Sequence, residues 1–298
     1  MKAPNRSREP RVPGAPGVRQ IVDLRSRYTR PLDPEAPVLG KLGSLEVRLA
    51  RNRAEIRAAQ TLRFNVFYEE MSAVADADTL LTRRDKDAYD PACDHLLVVD
   101  TDKPADSSIV ATYRLLPQPI AELAGGFYTA SEFDIEPMLA RHTDLNFLEL
   151  GRSCVLADYR NKRTMELLWH GLWLYIQHND IDVMMGCASL EGTDPEQLAL
   201  PLSFLFHHAR ADGDWQTRAV PERACSMDRI AKDDIEARSA LRTLPPLVKG
   251  YLRLGAMFGE EAVIDHQFGT TDVLIILPVS NLNERYVSYY GGHSAHNS

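Results

Sequence analysis

The stretch from residue 146 to residue 178 places the strongest limit on how this chain can fold. Residues 146–155 form a mainly apolar run that is typical of a buried strand. A short basic loop follows. From Thr164 to about His178, apolar residues then recur at helical spacing, which predicts a helix with one apolar face. A strand joined by a short loop to an amphipathic helix favours packing of that helix against a sheet.

Further strands and helices alternate along the chain around this unit. Strands are predicted at 45–49, 95–99, 109–116 and 181–188, late strand material at 245–258 and 272–279, and helices at 53–71 and 195–212. Asn52 is the predicted N-cap of the first helix. This order indicates an α/β (α+β) fold in which helices flank a mixed β-sheet.

Composition separates a terminal arm from a folded domain. Residues 1–40 contain seven prolines and carry eight Lys/Arg against four Asp/Glu, with little apolar periodicity. We therefore predict a disordered basic Pro-rich arm at 1–40, a single domain at 41–285 and a flexible tail at 286–298. The arm is either simply solvated or attracted to anionic lipid or an acidic protein.

Charge and cysteine spacing exclude several classes of function. A net charge of −8 argues against nonspecific nucleic-acid binding, which requires a basic face. The four cysteines are widely separated without a C-x-x-C pair, so we predict no metal site and no disulfide framework. The N-terminus has no apolar signal core, and the longest aliphatic run is too short to span a bilayer. We expect a cytoplasmic protein, with peripheral membrane contact as an option.

Two charged residues in the strand at 146–155 are candidates for chemistry. Regular strand geometry directs Glu149 and Gly151 to one face and Arg152 to the other. A bulge at Gly151 would bring both charged side chains toward one edge and free backbone N–H groups that can hold a thioester oxygen. Glu149 is then a candidate proton acceptor. The alternative is a structural ion pair between Glu149 and Arg152.

The basic loop before the amphipathic helix is a candidate phosphate site. A helix N-terminus attracts anions through its exposed N–H groups and its dipole. The loop lacks the glycine that would let it follow a pyrophosphate closely, so a 4'-phosphopantetheine arm suits it better than a nucleotide-type cofactor. The predicted binding residues are Arg160, Asn161, Lys162, Arg163 and Thr164. Solvated basic residues without a role are the alternative.

The spacing of the charged residues resembles that of the acyl-homoserine-lactone synthases, which depend on acyl carrier protein and have the GCN5-related N-acyltransferase (GNAT) fold. The similar positions are Arg63 with Phe67, Asp87 with Asp90, Arg114, and Glu149 with Arg152. This resemblance covers roughly residues 45–190. It implies a GNAT-like mixed sheet and a substrate site formed by these residues.

A closer resemblance, at 125–134, 148–155 and 244–256, is to the bacterial L-ornithine Nα-acyltransferases that make lyso-ornithine lipid. That family implies transfer of a 3-hydroxyacyl group from acyl carrier protein to the α-amine of L-ornithine. No cofactor would be bound permanently, because phosphopantetheine enters with the carrier. The amphiphilic product makes peripheral contact with the inner membrane an expectation, through the arm or residues 198–206, although a helix that packs in the core is the favoured interpretation of 198–206.

The resemblance leads to a hypothesis for the individual charges. Glu149 accepts a proton from the amine, directly or through a water. Asp87 or Asp90 binds the distant ammonium group of ornithine. The three arginines pair with the substrate carboxylate or stabilise the aspartates structurally. Two other functions stay open: a lactone synthase that uses S-adenosylmethionine, and a noncatalytic module that binds acyl carrier protein.

Overall fold

The computed structural model describes residues 29–282 apart from residues 72 and 106. Its strands are β1 (Val38–Leu42), β2 (Leu45–Leu49), β3 (Asp94–Asp100), β4 (Ile109–Pro117), β5 (Phe133–Asp134), β6 (Phe147–Val155), β7 (Val183–Glu191), β8 (Arg218–Ala219), β9 (Ala224–Ser226), β10 (Met257–Asp265) and β11 (Thr270–Pro278). Its α-helices are α1 (Arg53–Phe64), α2 (Ala77–Thr82), α3 (Gln118–Ala124), α4 (Glu136–Arg141), α5 (Lys162–His178), α6 (Ala199–Ala209), α7 (Ala237–Thr243) and α8 (Pro246–Arg253).

Nine of these strands form one sheet in the order β1-β2-β3-β4-β6-β7-β11-β10-β9, and β5 pairs with β8 separately. Every neighbouring pair is antiparallel except β6 and β7, which run parallel. Parallel neighbours need a crossover connection, which α5 supplies between these two strands. The mixed sheet with helices on its faces confirms the predicted fold class.

Helices cover both faces of the sheet. On one face, Leu168 of α5 packs in a core cluster that includes Val47 of β2. Gly171 allows this close approach, because a Cβ at that position would lie 2.5 Å from a methyl group of Val47. On the opposite face, Leu62 of α1 packs with Leu97 of β3. The two helices therefore hold the strands that carry the candidate site between them.

The helices differ from the predictions at two places. Asn52 caps α1 as predicted, and its side chain accepts the N–H groups of Ala54 and Glu55. The helix predicted at 53–71 is not one regular α-helix. Helix α1 ends at Phe64, and a π-helical segment, Asn65–Glu70, follows it.

The prediction of strand material from residue 245 is also wrong, because Pro246–Arg253 is helix α8 and the strand begins only at Met257. Pro246 is at the first helical position, where proline needs no N–H partner. The buried residues of α8, Val248 and Tyr251, lie three apart, which is a helical period.

The folded domain begins earlier than predicted. Strand β1 starts at Val38, within the segment assigned to the arm, and pairs with β2. Arg30 also lies 3.0 Å from Asp94 in a salt bridge. Proline-rich sequence is compatible with an extended chain along a sheet edge, so composition alone placed the boundary too late. The arm prediction for residues 1–28 and the tail prediction for 286–298 lie outside the described residues.

One predicted membrane contact was the apolar stretch at 198–206. In α6, which covers most of it, Leu202, Phe204 and Leu205 are buried in the core. This stretch therefore packs inside the protein. Within the described residues, no helix combines the length and apolar character needed to cross a bilayer.

Candidate active site

Strands β6 and β7 separate to form a cleft in the middle of the sheet. Their parallel pairing covers only three rows, from Phe147 opposite Val183 to Glu149 opposite Met185. Beyond that row, β6 stays paired with β4, and β7 stays paired with β11. The cleft contains a cavity that opens to solvent, with about 340 Å³ of empty space when the solvent-open part is included. Its walls are residues 150–153 of β6 and 184–188 of β7, with Tyr113, Leu247, Tyr251 and Ile275.

The predicted bulge in β6 is present, but its left-handed residue is Arg152 and not Gly151. Arg114 is opposite Gly151 while Thr112 is opposite Cys154, so β6 has one extra residue at this point. Arg152 has a φ of 51°. Gly151 stays in the ladder, where an added Cβ would meet Nε of Arg114 at 3.8 Å, an ordinary van der Waals distance.

Glu149 lies beside the cavity and not in its wall. Its side chain is buried, and its carboxylate accepts hydrogen bonds from the N–H groups of Tyr128 (3.0 Å) and Thr129 (2.6 Å). Burial raises the pKa of Glu149 above its usual value, although these hydrogen bonds and Arg114 partly offset the increase. The neighbouring Leu150 and the paired Met185 do line the cavity. A buried carboxylate with raised proton affinity next to a cleft suits proton transfer.

The bulge directs Arg152 toward the same turn. Its guanidinium carbon lies 5.1 Å from the ring centroid of Tyr128, whose N–H binds Glu149. Among the described residues, no ion pair joins Glu149 to Arg152. The proposed structural pair between these two residues is therefore wrong, although both side chains contact Tyr128, Arg152 at its ring and Glu149 at its N–H.

The predicted substrate-binding charges join Asp85, which was not predicted, in one largely buried network of three arginines and three aspartates. Its members are Arg63, Arg114, Arg152, Asp85, Asp87 and Asp90. Arg63 lies 2.9 Å from Asp90, and Arg114 lies 2.7 Å from Asp87. Arg152 lies 3.2 Å from Asp85. Positive and negative charges balance within the network, so its arginines stabilise the aspartates directly.

This balance corrects the prediction that Asp87 or Asp90 binds the ammonium group. Asp90 contacts both Arg63 and Arg114, and Asp87 contacts both Arg114 and Arg152. Burial acts to raise the pKa of Asp90, but the two arginines outweigh it and hold that pKa well below the usual range. An incoming ammonium group would have to displace an arginine. The structural role is therefore the one that the geometry favours for these aspartates.

Arg152 and Phe67 are brought together at the outer side of the network. Of the three arginines, Arg152 has the most exposed side chain, at 16%. Its guanidinium carbon lies 5.3 Å from the ring centroid of Phe268. Phe67, in the π-helical segment, meets the same ring edge-on at 6.0 Å. Arg152 is therefore the arginine best placed to meet a substrate carboxylate.

The predicted phosphate site combines residues with different roles. Asn161 is the N-cap of α5, and its side chain accepts the N–H of Thr164 at 3.2 Å. The side chain of Thr164 is fully buried and is therefore not accessible to a ligand. Arg160 pairs with Glu70. The side chain of Lys162 is 83% exposed, and Arg163 is also exposed beside it, so these two cations remain accessible at the start of α5.

A second group of acids was not identified as a site from sequence. Glu132, Asp265 and Asp272 each place one carboxylate oxygen within 4.8 Å of the others. Their exposed fractions are only 1%, 6% and 6%. Burial, followed by the charge of Asp272, raises the pKa of Glu132 to about 7. The available signal was an aspartate directly before the apolar run of strand β11.

Comparison with known proteins adds independent information about the family. Residues 62–170 match the family model described as an acetyltransferase (GNAT) domain, which confirms the fold expected from the resemblance. The chain is 54% identical over 259 residues to the L-ornithine N(alpha)-acyltransferase of Agrobacterium fabrum, covering 86% of this chain and 88% of that protein. It is 53% identical over 262 residues to the Brucella abortus protein of the same name, covering 87% and 93%. For the Rhizobium meliloti protein, the identity is 50% over 275 residues, covering 91% and 93%.

Proposed function

Since the chain belongs to the L-ornithine Nα-acyltransferase family, we propose that it transfers a 3-hydroxyacyl group from an acyl carrier protein thioester to the α-amine of L-ornithine. The product would be lyso-ornithine lipid. The observation that carries this proposal is the identity of 50–54% to three relatives named L-ornithine N(alpha)-acyltransferase, which supports acylation of ornithine. The cleft between β6 and β7 supplies a place for the acyl thioester.

The cleft suits a thioester for two reasons. Its walls are largely apolar, with Leu150, Met184 and Ile275 among the lining residues, as an acyl chain requires. The facing edges of β6 and β7 stop pairing beyond Glu149 and Met185, so their backbone groups are directed into the cleft. Backbone N–H groups at such an edge can stabilise the oxygen of the thioester carbonyl as negative charge develops on it.

Attack on the thioester requires a neutral amine. Reference pKa values of about 8 for an α-amine and about 10.4 for a lysine-like amine make the α-nitrogen easier to deprotonate by roughly 3.3 kcal/mol. We assign Glu149 as the proton acceptor, directly or through a water. The new bond joins the α-nitrogen to the acyl carbon, the carbon–sulfur bond breaks, and the carrier leaves as its thiolate, which then takes up a proton from water.

Gly186 lets β6 and β7 lie close together at the start of the cleft, and Gly186→Ala tests whether the reaction depends on this spacing. A Cβ at this position would lie 2.2 Å from the backbone oxygen of Leu150, so one strand must shift. We expect acyl transfer to fall by about 100-fold, the usual effect of a misplacement of about 1 Å. The measurement is kcat/KM for the acyl donor.

The matched control is Gly250→Ala in α8, where an added Cβ meets nothing within 4 Å. Helix propensity predicts that this variant is as stable as the wild type or more stable by about 1 kcal/mol. Equal activity of the two variants would show that the spacing at Gly186 is unimportant for the reaction.

Lys162 and Arg163 are proposed to dock the acidic acyl carrier protein. Lys162→Glu combined with Arg163→Glu should raise KM for the carrier thioester at least about tenfold at low salt, because like charges would then meet. The salt dependence of KM should become flatter, since fewer screened attractions remain.

The control for this docking surface is Arg53→Glu combined with Arg57→Glu on α1. These arginines are exposed and give the same change of charge from the opposite face of the sheet. If both double variants raise KM equally, the effect comes from net charge and the docking surface is wrongly placed.

The proposed function is tested against a lactone synthase by a choice of acceptor. The purified chain receives 3-hydroxyacyl carrier protein together with labelled L-ornithine or labelled S-adenosylmethionine. We expect label from ornithine alone in the acylated product. Label from S-adenosylmethionine would assign lactone synthesis, and the absence of any transfer would favour a carrier-binding module. Peripheral contact with the inner membrane stays part of this proposal because the product is amphiphilic.

A further inference from the structure

The buried acids Glu132, Asp265 and Asp272 have more negative charge than the one neighbouring arginine, Arg223, can neutralise. Arg223 lies 3.2 Å from Asp265 and 3.8 Å from Glu132. This leaves three carboxylates opposite one guanidinium group. Within the described residues, Oε2 of Glu132 and Oδ1 of Asp272 accept no hydrogen bond, although both atoms are buried. Buried oxygen atoms without partners are costly, so their presence points to a ligand.

We propose that this acid cluster, Glu132 with Asp265 and Asp272, binds the side-chain ammonium group of ornithine. The inference rests on the proposed function and replaces the role first predicted for Asp87 and Asp90. Their carboxylates are already neutralised by arginines. Within the part of the chain that the structure describes, the carboxylate oxygens that are buried without a hydrogen bond belong to this acid cluster, one on Glu132 and one on Asp272.

The geometry of the acid cluster fits an ammonium nitrogen. Because the three carboxylate oxygens lie within 4.8 Å of one another, a nitrogen between them can lie roughly 2.8 Å from each. An alkylammonium group has three N–H donors, one for each acid. A monovalent cation is also better tolerated beside Arg223 than a divalent metal ion, because the repulsion between the positive charges is smaller.

The acid cluster and Glu149 lie on one face of the sheet. Glu149 is opposite Met185, while Asp272 is opposite Ser189, four residues further along β7. An even number of residues keeps both positions on the same face, about 13 Å apart along the strand. Tyr128 spans this interval, because its N–H binds Glu149 and its hydroxyl donates to Glu132.

Ornithine has two nitrogens at the ends of a short chain. The carboxylates of Glu149 and Glu132 are separated by roughly the length of Tyr128, which contacts both of them. This length is comparable with that of an extended ornithine molecule. Binding the δ-ammonium group at the acid cluster would therefore direct the α-amine toward Glu149. Acylation of the α-nitrogen would then follow from position as well as from its lower pKa.

The test compares L-ornithine with L-norvaline, which has the same carbon chain without the side-chain amine. The wild type should prefer ornithine in kcat/KM by more than about 10³-fold, because norvaline leaves the buried carboxylates unpaired. Glu132→Gln and Asp272→Asn should each reduce this preference at least about tenfold, mainly through a higher KM for ornithine. Asp134→Asn, an exposed acid in β5 near Glu132, should preserve the preference.

A second readout needs only the wild type. The ionisable groups facing Glu132 are Asp272, Asp265, Arg223, Cys187 and Tyr128. Because the pKa of Glu132 is raised to about 7, the free carboxyl is partly protonated at neutral pH. Ornithine should release protons on binding at pH 7, as measured by calorimetry in two buffers, and its affinity should fall as the pH decreases to 6.

The outcomes separate this inference from the function on which it rests. A wild type that acylates ornithine and norvaline equally, or variants that keep the full preference, would disprove the ammonium site and leave the function intact. A wild type that acylates neither would disprove both. Magnesium or calcium ions that stabilise the wild type but not Glu132→Gln, and that compete with ornithine, would assign the acid cluster to a metal ion instead.

Discussion

Glu149→Gln is expected to lower kcat by about 10²–10⁴-fold, the usual contribution of a positioned general base. The glutamine has nearly the same shape, but it cannot accept a proton from the amine. It also presents an NH2 group to one of the two N–H donors of Tyr128 and Thr129. Thermal unfolding must therefore be measured beside the steady-state rate, so that a loss of folding is not counted as a loss of catalysis.

The pH profile distinguishes the role of Glu149 as a base from its structural role as acceptor of the Tyr128 and Thr129 N–H groups. A base must be ionised, so below the raised pKa of Glu149 activity should fall more steeply than protonation of the ornithine α-amine alone requires, and this additional loss should vanish in the glutamine variant. Glu149→Asp keeps the charge at a shorter reach and should recover part of the rate. If Glu149→Gln retains the wild-type kcat, or keeps the additional loss, the role of proton acceptor is wrong.

Arg63→Met is expected to have the largest effect on stability, a loss of about 3–5 kcal/mol in the free energy of unfolding. The side chain of Arg63 is fully buried and contacts both Asp85 and Asp90. Without the guanidinium group, these carboxylates would stay in the interior with one cation fewer. Equilibrium unfolding in urea measures the difference.

Two further variants control the Arg63 experiment. Arg53→Met changes an exposed arginine in the first turn of the same helix and should alter the free energy of unfolding by no more than about 0.5 kcal/mol. Asp90→Asn added to Arg63→Met should recover part of the loss, because fewer unpaired buried charges remain. A loss below about 1 kcal/mol for Arg63→Met alone would mean that water reaches this network.

The local periodicities of the sequence predicted much of the fold. The apolar stripe on α5 and the alternation in β2 depend on neighbouring residues, so they survive in the folded chain. The same reasoning failed at α8, where the segment is short and proline at its start hid the helix. The boundary near Val38 was missed because pairing of β1 depends on a distant part of the sheet edge.

The candidate site was only partly predictable, since its partners come from distant segments. Sequence indicated a bulge in β6 and the arginines that surround it, but not which aspartate each arginine would neutralise. Asp265 and Asp272 lie on adjoining strands of one hairpin, yet only folding brings Glu132 to them. No pattern in the sequence indicates that Glu132 meets these two aspartates. The cleft likewise depends on where two strands stop pairing, which is a property of the whole sheet.

The most direct test of the account is to identify which nitrogen of ornithine becomes acylated. Purified protein is incubated with 3-hydroxyacyl carrier protein and L-ornithine, and the product is fragmented by tandem mass spectrometry. We predict an amide at the α-nitrogen with the side-chain amine free. An amide at the side-chain nitrogen, or carrier thioester that remains unconsumed, would contradict the account.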